Sequence, residues 1–253
     1  MAILIKNSEQ LKLMRVAGEI AAKTHMFLKK MIRPGITTKD LNRAAEEFIL
    51  SQGATPSFKG YRKFPASICT SINCEVIHGI PNSKALRQGD ILSIDIGTYI
   101  GGFHGDSSRT YGVGAISEEN KKLIDVTRNS FFEAIRYAKA GRNLYEISAA
   151  IQHYVELNGF SVVRDYVGHG IGKQLHEPPD IPCYKPKNRG PKLYPGMVLA
   201  IEPMVNMGSG DVELLNDNIT IVTCDKKNSA HYENTVVITD KEPELLTIMD
   251  EEN

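Results

Sequence analysis

Four carboxylates and one imidazole, Asp95, Asp106, His169, Glu202 and Glu233, stand in glycine-rich or proline-flanked apolar settings along this chain. Asp95 lies within Ile94-Asp95-Ile96, Glu202 within Ile201-Glu202-Pro203, and His169 within Gly168-His169-Gly170-Ile171-Gly172. Acids buried side by side repel one another, and desolvation adds several kcal/mol per ion unless a cation or a proton compensates. A metal is the simpler remedy. Four oxygen donors and one imidazole favour Mn, Co, Fe or Zn over copper or iron–sulfur centres, and the imidazole makes Mg and Ca less suitable. Two ions roughly 3.5–4 Å apart could share carboxylates and bridge one water, lowering its pKa from about 15.7 toward 7. The chemistry expected of these five residues is metal-assisted hydrolysis.

Two further histidines belong to this picture. His176 follows His169 by seven residues in Leu175-His176-Glu177-Pro178, and His78 enters a turn in Ile77-His78-Gly79-Ile80-Pro81. Taken singly, a histidine is most often a hydrogen-bonded structural group, and an acid near glycines most often caps a turn or, like Asp95 or Asp106 beside Arg109, forms an ion pair. Recurrence of the acids in duplicated positions argues against that reading.

The elements that position these residues show the duplication. A helix opens at Ser8 as N-cap, carries Leu11, Met14, Ala17, Ala21, Leu28 and Met31 on one face, and stops at Arg33-Pro34-Gly35. A second runs from Thr37 or Thr38 to Gly53. Later, Ser117 opens a helix through Leu123, Phe131 and Ala138 to Gly141, and another carrying Ile147, Ile151 and Tyr154 ends at Gly159. One offset of 106 maps Gly35 to Gly141, Leu41 to Ile147, Phe48 to Tyr154 and Gly53 to Gly159. One residue more aligns the apolar run from Gly89 to Asp95 with that from Gly196 to Glu202. His104-Gly105-Asp106 similarly resembles His231-Tyr232-Glu233, so each half carries two acids. The glycines between Asp95 and Asp106 suit two adjacent strands joined by a tight turn. The expected architecture is a single α+β domain over residues 1–253, with halves of about 1–115 and 116–253 packed about a pseudo-twofold axis.

Composition bounds the partners. At 253 residues and 42% apolar, the chain can bury a polar site within one domain. Thirty basic and thirty acidic residues cancel, so no global field recruits nucleic acid or an anionic membrane. Cys69, Cys74, Cys183 and Cys224 include no CxxC pair, and the first residues lack the layout of a secretory signal. A reducing cytoplasm is the compartment expected.

The motifs together resemble the pita-bread metallopeptidases, and among them the type I methionine aminopeptidases. The resemblance runs from the first helix to Val237 and is carried by Cys-Thr-Ser-Ile-Asn at 69–73, His-Gly-Ile-Pro at 78–81, Ile-Asp-Ile-Gly at 94–97, Phe-His-Gly-Asp at 103–106, Gly-His-Gly-Ile-Gly at 168–172, Leu-His-Glu-Pro at 175–178, Ile-Glu-Pro at 201–203 and His-Tyr-Glu-Asn-Thr at 231–235. It implies a central antiparallel sheet covered by two helix pairs, and two divalent ions. Asp95 would chelate one ion, Asp106 and Glu233 would bridge both, and His169 and Glu202 would complete the coordination of the second ion. An activated water would attack the first peptide bond of a substrate beginning with Met, with Glu202 passing the proton. His176 would bond the scissile carbonyl and His78 would sit beside the leaving nitrogen. The methionine side chain would occupy a pocket lined by Tyr61, Phe64 and Cys69, a soft apolar setting that suits a thioether.

Some positions depart from that pattern. Leu175 stands where relatives often have an aromatic, Ile219 where tryptophan is frequent, and Asn82 where an acid often follows His-Gly-Ile-Pro. These bear on pocket shape and the choice of second residue. Other readings are an Xaa-Pro peptidase, which usually carries an extra N-terminal domain, and a non-catalytic binding protein of the same fold. The resemblance also implies a monomer that meets peptides and nascent chains, with at most transient ribosome association through its folded surface. Met1-Ala2 is itself a fitting substrate, so the mature chain is expected to begin at Ala2.

Overall fold

The computed structural model describes residues 2–248; Met1, whose removal the sequence predicts, lies outside the described residues. Helix α1 spans Ser8–Lys29, α2 Thr38–Ser51, α3 Glu118–Ile135 and α4 Tyr145–Leu157. The cap of α1 is Asn7 rather than Ser8. Its side chain accepts the Gln10 N–H at 2.9 Å while the Gln10 side chain accepts the Asn7 N–H at 3.0 Å, a reciprocal box that Ser8 would not complete. Met31 falls beyond α1. Thr37 and Ser117 cap α2 and α3 as expected. Helix α3 ends at Ile135, short of Gly141, because the N–H groups of Tyr137 and Ala138 turn back to the carbonyls of Ala134 and Ile135. Ala138 still packs in the core.

The helix stops repeat as the self-alignment requires. Gly35 and Gly141 have φ of +93° and +85°, and Gly53 and Gly159 +76° and +85°, left-handed values that glycine adopts without strain. The Gly35 N–H bonds the Leu86 carbonyl and the Gly141 N–H the Leu193 carbonyl, both at 2.8 Å. Equivalent isolated bridges join Thr37 to Ala85 and Asn143 to Lys192.

A nine-stranded antiparallel sheet forms the centre. Its order is Thr55–Pro56, Ile91–Ile100, Phe103–Gly112, Glu233–Val237, Val198–Ile201, Gly168–Gly170 and Glu177–Ile181, with Cys69–Ile72 also on Ile91–Ile100 and Glu244–Leu245 on Glu233–Val237. Gly101 and Gly102, with φ of +60° and +86°, make the tight turn between Ile91–Ile100 and Phe103–Gly112. Alternation along the pleat then divides the faces. Leu92, Ile94 and Ile96 pack with Ile20, Leu41 and Ile49 of α1 and α2. Leu199, Ile201 and Val236 pack with Leu123, Phe131, Ile147 and Ile151 of α3 and α4. Helix α1 sits unusually close to the sheet: a Cβ on Gly105 would lie 2.7 Å from the Gly18 nitrogen, and Thr98 Oγ1 donates to the Ala17 carbonyl at 2.7 Å. The residues between those apolar ones face the other way, where Asp95 lines a cavity.

Candidate metal centre

Each of the five ligand candidates comes from a different strand, or from the residue just after one, and those strands are consecutive neighbours in the sheet. Asp95 pairs with Ser108, two residues from Asp106, so both acids share a face. Glu233 also pairs with Ser108, from the next strand. Glu202 follows Ile201, which pairs with Asn234, and His169 pairs with Ala200. Ligand atoms of Asp106, His169 and Glu233 all lie within 4.8 Å of one another, and all three residues are buried. Glu202 flanks them, with Oε1 3.7 Å from His169 Nε2 and Oε2 3.6 Å from His231 Nε2. Asp95 adjoins them from the strand paired with that of Asp106.

The donor set fits a cation by three observations. Asp95 Oδ1 and Asp106 Oδ1 are buried with no hydrogen-bond partner among the described residues. The His169 Nδ1–H donates to the Gly170 carbonyl at 2.9 Å, which fixes the tautomer and leaves the Nε2 lone pair facing the acids. Without an ion the acids resist ionising together. Burial, and then the neighbouring carboxylates, hold Asp106 and Glu233 far above the usual carboxylate range. Burial pushes Asp95 up to about 7 against the opposing influence of His231, and Glu202 to about 7 against that of His169.

The other residues singled out in the sequence open onto the same cavity, about 380 Å³ in volume. Tyr61, Phe64, Cys69, Leu175 and Ile219 line it, and His78 and His176 stand at its open side. The protein around those two rings disfavours their charged forms: burial, then His231 and Arg62, lower His78 to about 4, and burial, then His169 and Arg62, lower His176 to about 3. Both are therefore neutral imidazoles near pH 7. His176 stacks on Tyr61 with ring centres 5.3 Å apart and lies against His169 at 4.0 Å, tilted by 38°, and its Nδ1 is 2.8 Å from the Tyr61 hydroxyl. His78 has a left-handed backbone, φ +59°, that turns its ring edge-on to Tyr166. Burial and the three nearest acids raise the Cys69 thiol, so it stays protonated.

Reading from the sequence missed Arg62, Tyr166, Leu214 and Asn218, which also line the cavity, and His231 beside Glu202. His231 carried a signal, as the first residue of the repeated acid motif. Tyr166 and Asn218 sit on loops, Arg62 in a short 3-10 turn and Leu214 at the end of the strand Val212–Leu214, segments too short for local periodicity to place. Asn82 lies away from the cavity, where its carbonyl and side chain accept the Lys39 and Lys84 N–H groups.

Comparison with known proteins agrees with this architecture. Residues 12–240 match the model of metallopeptidase family M24. A methionine aminopeptidase of Clostridium perfringens is 58% identical, covering 98% of this chain and 99% of the relative. Methionine aminopeptidase 1 of Bacillus subtilis is 56% identical over 97% and 99%. The crystal structure of methionine aminopeptidase from Rickettsia prowazekii superposes with a TM-score of 0.96 at 42% identity, covering 98% of this chain and all of that one. A sheet that gathers acids from consecutive strands beneath two helix pairs, matched over nearly its whole length, places this chain in metallopeptidase family M24 and, within it, among the methionine aminopeptidases.

Proposed function

We propose that this enzyme removes the N-terminal methionine from proteins and peptides whose second residue is small, by hydrolysing the first peptide bond. The observation that carries this reading is the cavity itself: buried acids at its inner end, two neutral imidazoles at its opening and a soft apolar wall between them. Asp95, Asp106, His169, Glu202 and Glu233 would hold two divalent ions, drawn from Mn, Co, Fe or Zn by availability. Bound there, the ions would supply Lewis acidity and a water acidic enough to ionise near neutral pH.

The chain's own residues do the rest. With the Tyr61 hydroxyl donating to Nδ1, the His176 proton sits on Nε2, positioned to donate to the scissile carbonyl oxygen as negative charge builds there. That bond is stronger in the transition state than in the bound substrate, so it raises kcat. His78 holds the leaving nitrogen. Glu202, whose oxygens lie 3.7 and 3.6 Å from His169 Nε2 and His231 Nε2, takes a proton and returns it to the departing amine. Tyr61, Phe64, Cys69, Leu175 and Ile219 wall the methionine side chain, and Leu175 and Ile219 make that wall aliphatic. The enzyme would meet nascent chains in the cytoplasm as a monomer, with any ribosome contact transient. Among the described residues no helix is long and apolar enough to cross a membrane, and all four cysteines are free.

Turnover of a Met-X-Ser peptide panel, with elemental analysis of the same sample, tests the proposal. Small X should be cleaved in proportion to bound metal. Preference for Xaa-Pro peptides, or full metal content without turnover, would overturn it.

A further inference from the structure

We propose that Arg62 selects substrates that carry a carboxylate at the third residue, a reading that rests on the aminopeptidase function above. Apart from the histidines, Arg62 is the one basic side chain among those lining the cavity. Lys59 on the same loop is neutralised by Glu46 at 2.5 Å, whereas among the described residues no carboxylate lies within 4.0 Å of Arg62. An exposed arginine that lines a site and has no carboxylate partner among the described residues is available to an anionic ligand.

Its placement is built into the backbone. Gly60, Arg62 and Lys63 have φ of +85°, +46° and +70°, values that side-chain-bearing residues seldom adopt. This turn lays the Arg62 guanidinium 5.4 Å from the centre of the Tyr61 ring. Tyr61 in turn stacks on His176, so one ring links Arg62 to the scissile-bond histidine. The two spacings, 5.4 and 5.3 Å, keep the guanidinium within reach of a carboxylate side chain carried two extended residues, at roughly 3.3–3.6 Å each, beyond the scissile carbonyl. The chain beyond the scissile bond must leave by this rim, since the acids close the inner end. Leu214 and Asn218, which are exposed and also line the cavity, are uncharged. A side-chain carboxylate on the third residue, or the terminal carboxylate of a tripeptide, therefore has Arg62 as the basic partner that the lining offers apart from the histidines. Guanidinium and carboxylate match in planar geometry.

The test uses metal-loaded enzyme and Met-Ala-X-Gly-amide peptides with X as Asp, Asn or Lys, beside Met-Ala-Ser with a free or amidated end. At a solvent-exposed pair the expected preference in kcat/KM for Asp over Lys is about fivefold, carried mainly by KM and suppressed at high salt. The ratio should fall to about one in Arg62→Ala, persist in Arg62→Lys and invert in Arg62→Glu. Preference for the free over the amidated tripeptide, without preference for Asp, would assign the same site to the ends of short peptides. A wild-type Asp-to-Lys ratio near one together with indifference to amidation would overturn the proposal, as would a ratio that survives in Arg62→Ala. Failure of the wild type to cleave the neutral Asn peptide would count against the aminopeptidase reading instead.

Discussion

Replacing Lys6 by methionine should destabilise the protein far more than its place near the start of the chain implies. Lys6 Nζ lies 2.7 Å from Glu177 Oε2, and the two side chains are only 5% and 3% exposed. Glu177 Oε1 also accepts the Gln174 N–H at 3.1 Å, and the Lys6 N–H bonds the Gly196 carbonyl at 2.8 Å. The pair is packed against Gly172, where a Cβ would sit 2.6 Å from both Glu177 Oε1 and Lys6 Cε. Methionine keeps most of the apolar stem but strands the Glu177 charge in a dry site. Removing one partner of a buried pair costs roughly 3–5 kcal/mol. At this chain length that corresponds to a fall in Tm of about 10 °C. Because Glu177 follows His176 directly, the loss should also reach the reaction: a kcat lower by about tenfold, within the roughly 10² that an ångström of misplacement can cost. Denaturant titration of Lys6→Met, Glu177→Gln and the double variant at fixed metal concentration gives the coupling. The double variant should recover at least half of the Lys6→Met loss, since no buried charge is left unpaired. A Lys6→Met cost below about 1 kcal/mol, or simple additivity in the cycle, would refute the reasoning.

Three further outcomes are expected. His176→Ala should lower kcat by about 10²–10³, as for loss of an oxyanion donor, while metal content measured by elemental analysis stays near normal; wild-type turnover of Met-Ala-Ser would contradict the role given to His176. Asp106→Asn removes a carboxylate from the centre of the cluster and should cost metal binding itself, seen as substoichiometric metal after dialysis; full occupancy would place the ions elsewhere. His25 is buried in α1, its ring nitrogens 3.1 Å from the Tyr111 hydroxyl and the Ser107 carbonyl, and burial, then Arg109, lower it to about 3. Since the unfolded imidazole protonates near 6.5, acid favours unfolding from about that pH downward. By pH 4.5 this amounts to about 3 kcal/mol, so the stability gap between wild type and His25→Gln should narrow by that much between pH 7.5 and 4.5. A gap independent of pH in denaturant titrations would show that His25 does not hold its neutral form.

Much of the fold and the site was legible in the sequence because it depends on short-range rules. Strand alternation makes Ile94 and Ile96 face the helices and leaves Asp95 on the other side, and the glycine stops at 35, 53, 141 and 159 mark where backbones must turn left-handed. The repeat of an acid after each apolar run gives each half two of the four acids, with His169 added by the second half alone. Helix ends were less legible, since the Asn7 box depends on two side chains acting together and α3 gives way to turns six residues before its glycine.

What the sequence by itself determined is therefore the inventory: five metal-ligand candidates, two histidines, an apolar wall and a duplicated scaffold to carry them. Only the tertiary structure decided their neighbours. The order of the sheet puts Asp95, Asp106, Glu233, Glu202 and His169 on consecutive strands, the Tyr61 hydroxyl against His176, Lys6 against Glu177 across 171 positions, and Arg62 at the rim. Local patterns set which face a side chain takes. Which distant side chain it meets there is settled by the packing of all elements at once, and the cost of leaving a buried charge without its partner makes that meeting specific.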